Sequence, residues 1–243
     1  MKILRENNDY RAAVIFSKNK SKVFIIKFDH WVKNKHQCFA DIAQTTWATK
    51  LGYNHIFIQS KKNDWFQNHT VLDVLNAVAN YKKDNLYIAT GGSMSGYASI
   101  EFNSILSIDF FIATSPQAAI SKEYMTSIND NRWKNDISKI KKRRSYLLDG
   151  FNKKAKGIVS VDITNHADMS HAISIKQMTD SIILYTNGAY HRSGMILNKE
   201  YPVKKIIKHF IEKGYKSFDA IEIQNKIDSG FSNLFMKWCL PRD

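Results

Sequence analysis

Residues 86–97, Leu-Tyr-Ile-Ala-Thr-Gly-Gly-Ser-Met-Ser-Gly-Tyr, hold a serine in a setting suited to nucleophilic chemistry. A short apolar run meets Gly91 and Gly92, then Ser93, with the small residues Ser95 and Gly96 close behind. This is the spacing of a nucleophile elbow, G-x-S-x-G, with serine in the last small position. A serine forced onto a sharp strand-to-helix turn needs small neighbours two residues either side, because larger side chains collide there. The turn lifts Oγ clear of the sheet, and free N–H groups at the start of the following helix face a developing oxyanion. No Gly-Lys-Ser/Thr follows and no G-x-G-x-x-G occurs, so the segment is not a phosphate loop of either kind.

A nucleophilic serine needs a base and an acid that orients it. In sheets built around this turn they follow later strands, in the chain order Ser, Asp/Glu, His. One apolar run ends at Asp162 and leads into a segment holding Asp168; the next leads into Gly188 and His191. His191 is the expected base. The acid must reach past the end of its strand, which favours Asp168 and leaves Asp162 in reserve. Oxyanion donors are expected from the backbone N–H of Met94 and of the Asp29–Trp31 stretch, represented by His30. His166 and His171 lack an acidic third ligand at useful spacing, so no metal is expected.

Placing those residues takes an α/β chain. Near-continuous β-branched and aromatic runs at 12–17, 23–28, 55–59, 86–90, 108–114, 158–162 and 182–185 read as parallel strands covered on both faces. Amphipathic stretches at 39–51, 71–81, 94–104, 136–147, 169–178, 203–213 and 220–229 read as helices. This alternation predicts a mostly parallel, doubly wound sheet with right-handed crossovers. No repeat or linker interrupts residues 1–243, so a single domain is expected, with a small cap-like insertion around 115–157.

The chain carries a formal charge of +14 and only two cysteines, Cys38 and Cys239, which form no metal or redox spacing. No run approaches the roughly 18 apolar residues of a membrane span. A cytoplasmic protein, at most peripheral at the inner membrane, is expected. The charge excess calls for an anionic partner. It concentrates at 132–156, where ten basic residues, among them Arg132, Lys142 and Arg143, face only Asp136 and Asp149. No nucleic-acid-binding motif accompanies them, so nucleic acid is not the expected partner. Nothing in the sequence speaks to oligomeric state.

Several motifs together resemble one group of proteins. They are the elbow, Ser115-Pro116-Gln117-Ala118 after the next strand, Asp168-x-x-His171, and the loop Gly188-x-x-His191. The group comprises α/β-hydrolase-fold proteins of bacterial surface-polysaccharide loci, and the nearest activity in it is that of capsule polymer O-acetyltransferases. The resemblance spans roughly residues 23–196 and rests on short motifs. It departs at Ser95, where that group usually has glycine, and at Ala189-Tyr190, which replace a second glycine. Asn63-Asp64-Trp65-Phe66-Gln67 also resembles a segment common in these proteins. Trp65 there suits either sugar stacking or service as a packed loop anchor.

The resemblance implies an α/β-hydrolase-like sheet of six to eight strands with Ser93, Asp168 and His191 as triad. It further implies a serine O-acyltransferase that uses acetyl-CoA as cosubstrate, with no bound cofactor, and acylates a polysaccharide or glycan precursor. Trp65, Gln117, Arg132, Lys142 and Arg143 are the substrate-binding candidates, the basic ones for CoA phosphates or an anionic polymer. A carboxylesterase or deacetylase would use the same triad. A catalytically inactive basic scaffold for glycan or nucleic acid is the alternative of another class.

Overall fold

The structure is a computed structural model that describes residues 1–33, 35, 37–140 and 155–239. Eight strands form one sheet: β1 (Lys2–Glu6), β2 (Tyr10–Ile15), β3 (Val23–Phe28), β4 (Asn54–Ser60), β5 (Leu86–Gly92), β6 (Phe110–Thr114), β7 (Lys156–Asp162) and β8 (Asp180–Thr186). Their order is β1-β2-β4-β3-β5-β6-β7-β8. β2 pairs antiparallel with β1 and β4, and all other pairs are parallel. The chain leaves β3 for β4 on one side and then crosses to β5 on the other. That reversal opens a crevice at the carboxyl ends of β3 and β5, where α/β sheets bind ligands.

Each expected apolar run forms a strand, with ends moved by at most two residues; the run at 12–17, read as parallel, forms β2, which is antiparallel to both its neighbours. β1 was not expected. Its sequence, Lys-Ile-Leu-Arg-Glu, is largely exposed, as suits an edge strand whose charges discourage further pairing.

The helices divide between the two faces. α2 (Val71–Ala79), α3 (Met94–Glu101), α4 (Asn103–Leu106) and α7 (His166–Met178) cover the face that buries Phe28, Ile56, Phe66 and Val159. The other face, with Ile25, Ile88, Ile112 and Ile158, is covered by α1 (Trp47–Lys50), α8 (Ser193–Glu200), α9 (Val203–Lys213) and α10 (Ala220–Cys239). α9 shows why such segments turn helical: Ile206, Ile207 and Phe210 are buried in one stripe while its lysines face out.

Instead of the helix expected over 39–51, only α1 forms. Thr46 is its N-cap, in a reciprocal capping box with Thr49. Upstream, the Ala40 carbonyl accepts from Arg11 (2.9 Å) and Gln59 (2.8 Å), which straps an irregular segment over the sheet.

Between β6 and β7 lie α5 (Lys122–Ser127) and α6 (Lys134–Ser138). Ala118, Ile120, Met125 and Ile137 join the main core, so the described part of this insertion packs onto the sheet's own helices. Residues 141–154, with Lys142 and Arg143, lie outside the described residues. No helix among the described residues is long and apolar enough to cross a membrane.

Candidate active site

Ser93 stands between β5 and α3 with φ 51° and ψ −122°. A non-glycine residue there stores about 1–3 kcal/mol of strain, which its surroundings must hold in place. Two backbone bonds do so: Ser93 N–H donates to Thr114 O (2.9 Å), and Tyr97 N–H to Ser93 O (2.8 Å). Gly91 is required because a Cβ would lie 2.6 Å from the Ser95 backbone carbon. Ser95 itself fits: its Oγ donates to Phe28 O (2.7 Å), which ties the start of α3 to the end of β3. The departure from glycine therefore supplies a tether across the crevice.

Ser93 Oγ lies 2.9 Å from His191 Nε2, and His191 Nδ1 lies 2.9 Å and 3.0 Å from the two Asp168 oxygens. For Nε2 to accept the serine proton, Nδ1 must carry hydrogen, and Asp168 is its acceptor. Asp168 is buried and occupies the first turn of α7, not a loop; the Asn165 side chain caps the turn by accepting from Asp168 N–H (3.1 Å).

Asp162 does other work. It accepts from Thr164 N–H (2.8 Å), from Tyr190 N–H (2.9 Å) and from Ala189 N–H. It thus clamps the loop that delivers His191, whose Gly188 and Tyr190 both have positive φ.

A charged chain continues behind the acid. Arg132 Nη2 reaches Asp168 Oδ1 (2.8 Å) and Asp130 Oδ2 (2.6 Å), and Arg132 Nε reaches Asp130 Oδ1 (2.8 Å). Burial works to raise the Asp130 carboxyl, but hydrogen bonds from Arg132 and His171 overcome it and hold the group well below the usual carboxylate range. Burial likewise opposes the charge on Arg132, yet its bonds to Asp130 and the charge of Asp168 raise it above its ordinary value. His171 is pulled down by burial against the attraction of Asp130. Its Nδ1 accepts from Ala118 N–H (2.9 Å), so the hydrogen sits on Nε2 and points to Asp130 Oδ2 (3.2 Å). Arg132 Nη1 also stands 2.8 Å from His191 Nδ1. In the base-competent tautomer both atoms are donors, so this approach is a charge contact and not a hydrogen bond. Arg132 is therefore spoken for by two carboxylates. It is not a free phosphate ligand as the sequence suggested.

Trp65 is fully buried and offers no face to a sugar. Its Nε1–H donates to Gln117 Oε1 (3.1 Å). Because indole is only a donor, this fixes the amide orientation and turns Gln117 Nε2 toward Ser93 Oγ (3.4 Å). Of the two readings of Trp65, the packed anchor is the one the structure holds.

Two tryptophans not singled out in the sequence flank the site instead. Half-buried Trp133 lies 5.5 Å from the His191 ring and 5.4 Å from Trp31, itself half-buried. Trp133 Nε1 is buried without a partner among the described residues. The N–H of Met94, next to the serine, and that of His30, just past the end of β3, donate to no group among the described residues. Met94 begins α3, where the helix supplies no carbonyl for it.

The sequence matches no protein-family model and no curated protein. Solved structures do match. The capsule O-acetyltransferase of Neisseria meningitidis serogroup A, in complex with caged gadolinium, aligns with TM-score 0.54 at 13% identity, over 84% of this chain and 92% of that chain. Est1E from Butyrivibrio proteoclasticus aligns with TM-score 0.56 at 14% identity, over 87% and 99%. A mutant of the capsule enzyme in complex with CoA aligns with TM-score 0.53 at 11% identity, over 75% and 86%. The chain has the α/β-hydrolase fold. In this α/β-hydrolase sheet the elbow ends β5, the buried acid follows β7 and the histidine follows β8. That is the serial order expected of the fold.

Proposed function

We propose that this protein is a serine acyltransferase that moves an acetyl group from acetyl-CoA to a hydroxyl of a polysaccharide or glycan precursor, through an acyl-enzyme on Ser93. The observation that carries the reading is the unbroken relay from Ser93 Oγ through His191 to Asp168, with 2.9 Å at both contacts. Ser93 Oγ attacks the thioester carbonyl while His191 Nε2 takes its proton. The C–S bond then breaks and the proton passes to the leaving thiolate. The acceptor hydroxyl next gives its proton to His191 and attacks the acyl carbon, and Ser93 regains hydrogen as the new ester leaves. Met94 and His30 N–H groups serve the oxyanion, and Gln117 Nε2 adds a third donor.

The fold likeness to a capsule O-acetyltransferase and the strong positive charge support the choice of substrates. On the acceptor side, Trp31 and Trp133 beside His191 form the aromatic wall that a sugar ring stacks on.

A fluorophosphonate probe and labelled acetyl-CoA test the reading. Probe labelling lost in Ser93→Ala, and acetyl groups found by mass spectrometry on a glycan acceptor, are the expected results. Labelling with free acetate as sole product across a broad acceptor panel would replace the transferase by an esterase. Absence of labelling would favour a binding scaffold.

A further inference from the structure

A cavity of about 520 Å³ opens on the sheet face opposite α3, beside the serine. Its walls include Lys27, Trp47 and Lys204, and it shares Gly92, Thr114 and Asn198 with the shallower cleft that holds Ser93 and His191. Its size falls in the range of small-molecule sites.

Lys27 lies on β3, two residues from fully buried Ile25 on the same face, and its own side chain is exposed, so its ammonium is open to a ligand in this cavity. Among the described residues neither Lys27 nor Lys204 has a hydrogen bond or ion pair with a side chain. Lys204 is exposed in the first turn of α9, the positive end of that helix dipole, where no acidic residue offsets it; the first N–H of the helix, that of Val203, donates to Asn198 Oδ1 (3.2 Å). Two exposed cations without a side-chain partner among the described residues therefore meet at one cavity. Trp47, 39% exposed, adds a large aromatic surface to the wall. Cations with an indole select a phosphate-bearing ligand with a flat heterocycle.

We infer that this cavity holds the phosphorylated nucleotide end of the acyl donor, with Lys27 and Lys204 on its phosphates and Trp47 against its base. The inference rests on the acyl-CoA reading above and gives it a place. Because Gly92, Thr114 and Asn198 border both spaces, a donor anchored here extends its thioester toward Ser93. The acceptor then approaches from the opposite side, over Trp31 and Trp133. This site also replaces Arg132 as the phosphate ligand, since Arg132 is held by Asp130 and Asp168.

Calorimetric titration with CoA, and with pantetheine as the fragment lacking the nucleotide, tests this directly. Wild type, Lys27→Gln/Lys204→Gln, Lys204→Glu and Trp47→Leu are compared after melting curves confirm that each folds. The double variant is expected to weaken CoA at least tenfold and to flatten the loss of affinity between low and physiological salt. Pantetheine should bind all four proteins within twofold. Lys204→Glu should also weaken CoA at least tenfold, because it sets a negative charge against the phosphates, and the KM for acetyl-CoA should rise in parallel. Wild type that binds CoA, with the double and Lys204→Glu variants matching it within twofold, would overturn this site while leaving the acyl-CoA reading intact. Wild type that binds no CoA at millimolar concentration would remove that reading and this site with it.

Discussion

Asp130 touches neither Ser93 nor His191, yet its charge should decide how well His191 works. Arg132 places a positive charge 2.8 Å from His191 Nδ1, on the ring that would become imidazolium in the proposed acyl transfer. Two like charges at that distance repel by about 6 kcal/mol at an effective dielectric of about 20. The Arg132 side chain is 28% exposed and its charge is delocalised, which reduces the effect to about 1–3 kcal/mol. In the native site Asp130 offsets that charge through bonds to Nε and Nη2, with Asp168 as the second counter-charge on Nη2. Asp130→Asn keeps the shape and leaves Asp168 alone to offset both Arg132 and the imidazolium, so kcat for p-nitrophenyl acetate should fall by about tenfold. Arg132→Gln alone strands Asp130 in a buried position and should chiefly lower the melting temperature. The double change removes both charges and should recover most of the activity that Asp130→Asn loses, because neighbouring charges do not act additively. If Asp130→Asn stayed within twofold of wild type, or the double variant were worse than either single one, the argument would be refuted.

Ser93→Ala and His191→Ala should each cost about a thousandfold or more in turnover, and the double change little beyond that, since the pair acts as one unit. Asp168→Asn should be comparably severe in kcat, whereas Asp162→Asn should first show as a lower melting temperature through the loosened His191 loop; the reverse pattern would exchange their roles. Trp65→Phe removes the indole N–H and part of a fully buried ring, freeing the Gln117 amide, so a lower Tm together with a kcat loss of about tenfold is expected, the kcat loss persisting well below the melting range. His55 gives a pH signature: burial first, then Lys27, pulls it down to about 3, so the unfolded chain takes up a proton near pH 6.5 that the folded chain refuses. Its contribution to stability is complete above that pH and erodes from there down to about 3, by at most about 2 kcal/mol at pH 5. Urea titrations of wild type and His55→Gln at pH 7 and pH 5 would reveal it as a smaller loss in the variant.

The strand pattern was legible because parallel strands buried on both faces write themselves as continuous apolar runs. β1 escaped because an exposed edge carries no such run. The helix expected over 39–51 failed because its start is set by the Thr46 cap, a local polar contact that apolar periodicity does not register. The proposed triad could be picked out because each member closes a strand or opens the segment after one. Asp168 was expected in a loop, whereas it lies in the first turn of α7, a position that depends on the Asn165 cap. Arg132 was read from local charge density, and density says nothing about which carboxylates fold against it. Trp65 was open between sugar platform and packed anchor because burial is set by tertiary contacts, here Gln117 on its indole N–H and Trp133 against its ring.

What holds the reacting atoms in place lies largely outside the triad. Ser93 is strained, and His191 rides on a loop with two left-handed residues, so neither would keep its geometry on local preference alone. The holding groups are the Thr114 carbonyl on Ser93, the Ser95 hydroxyl on β3, Asp162 on the His191 loop, and the His171–Asp130–Arg132 chain behind Asp168. Each is a buried or half-buried polar contact to a different strand or helix. Rearranging any reacting group therefore means breaking a bond that water cannot replace. Hydrogen-bond donors fixed in this way reorganise little as charge develops on the substrate, and that economy is the largest usual contribution to lowering an acyl-transfer barrier.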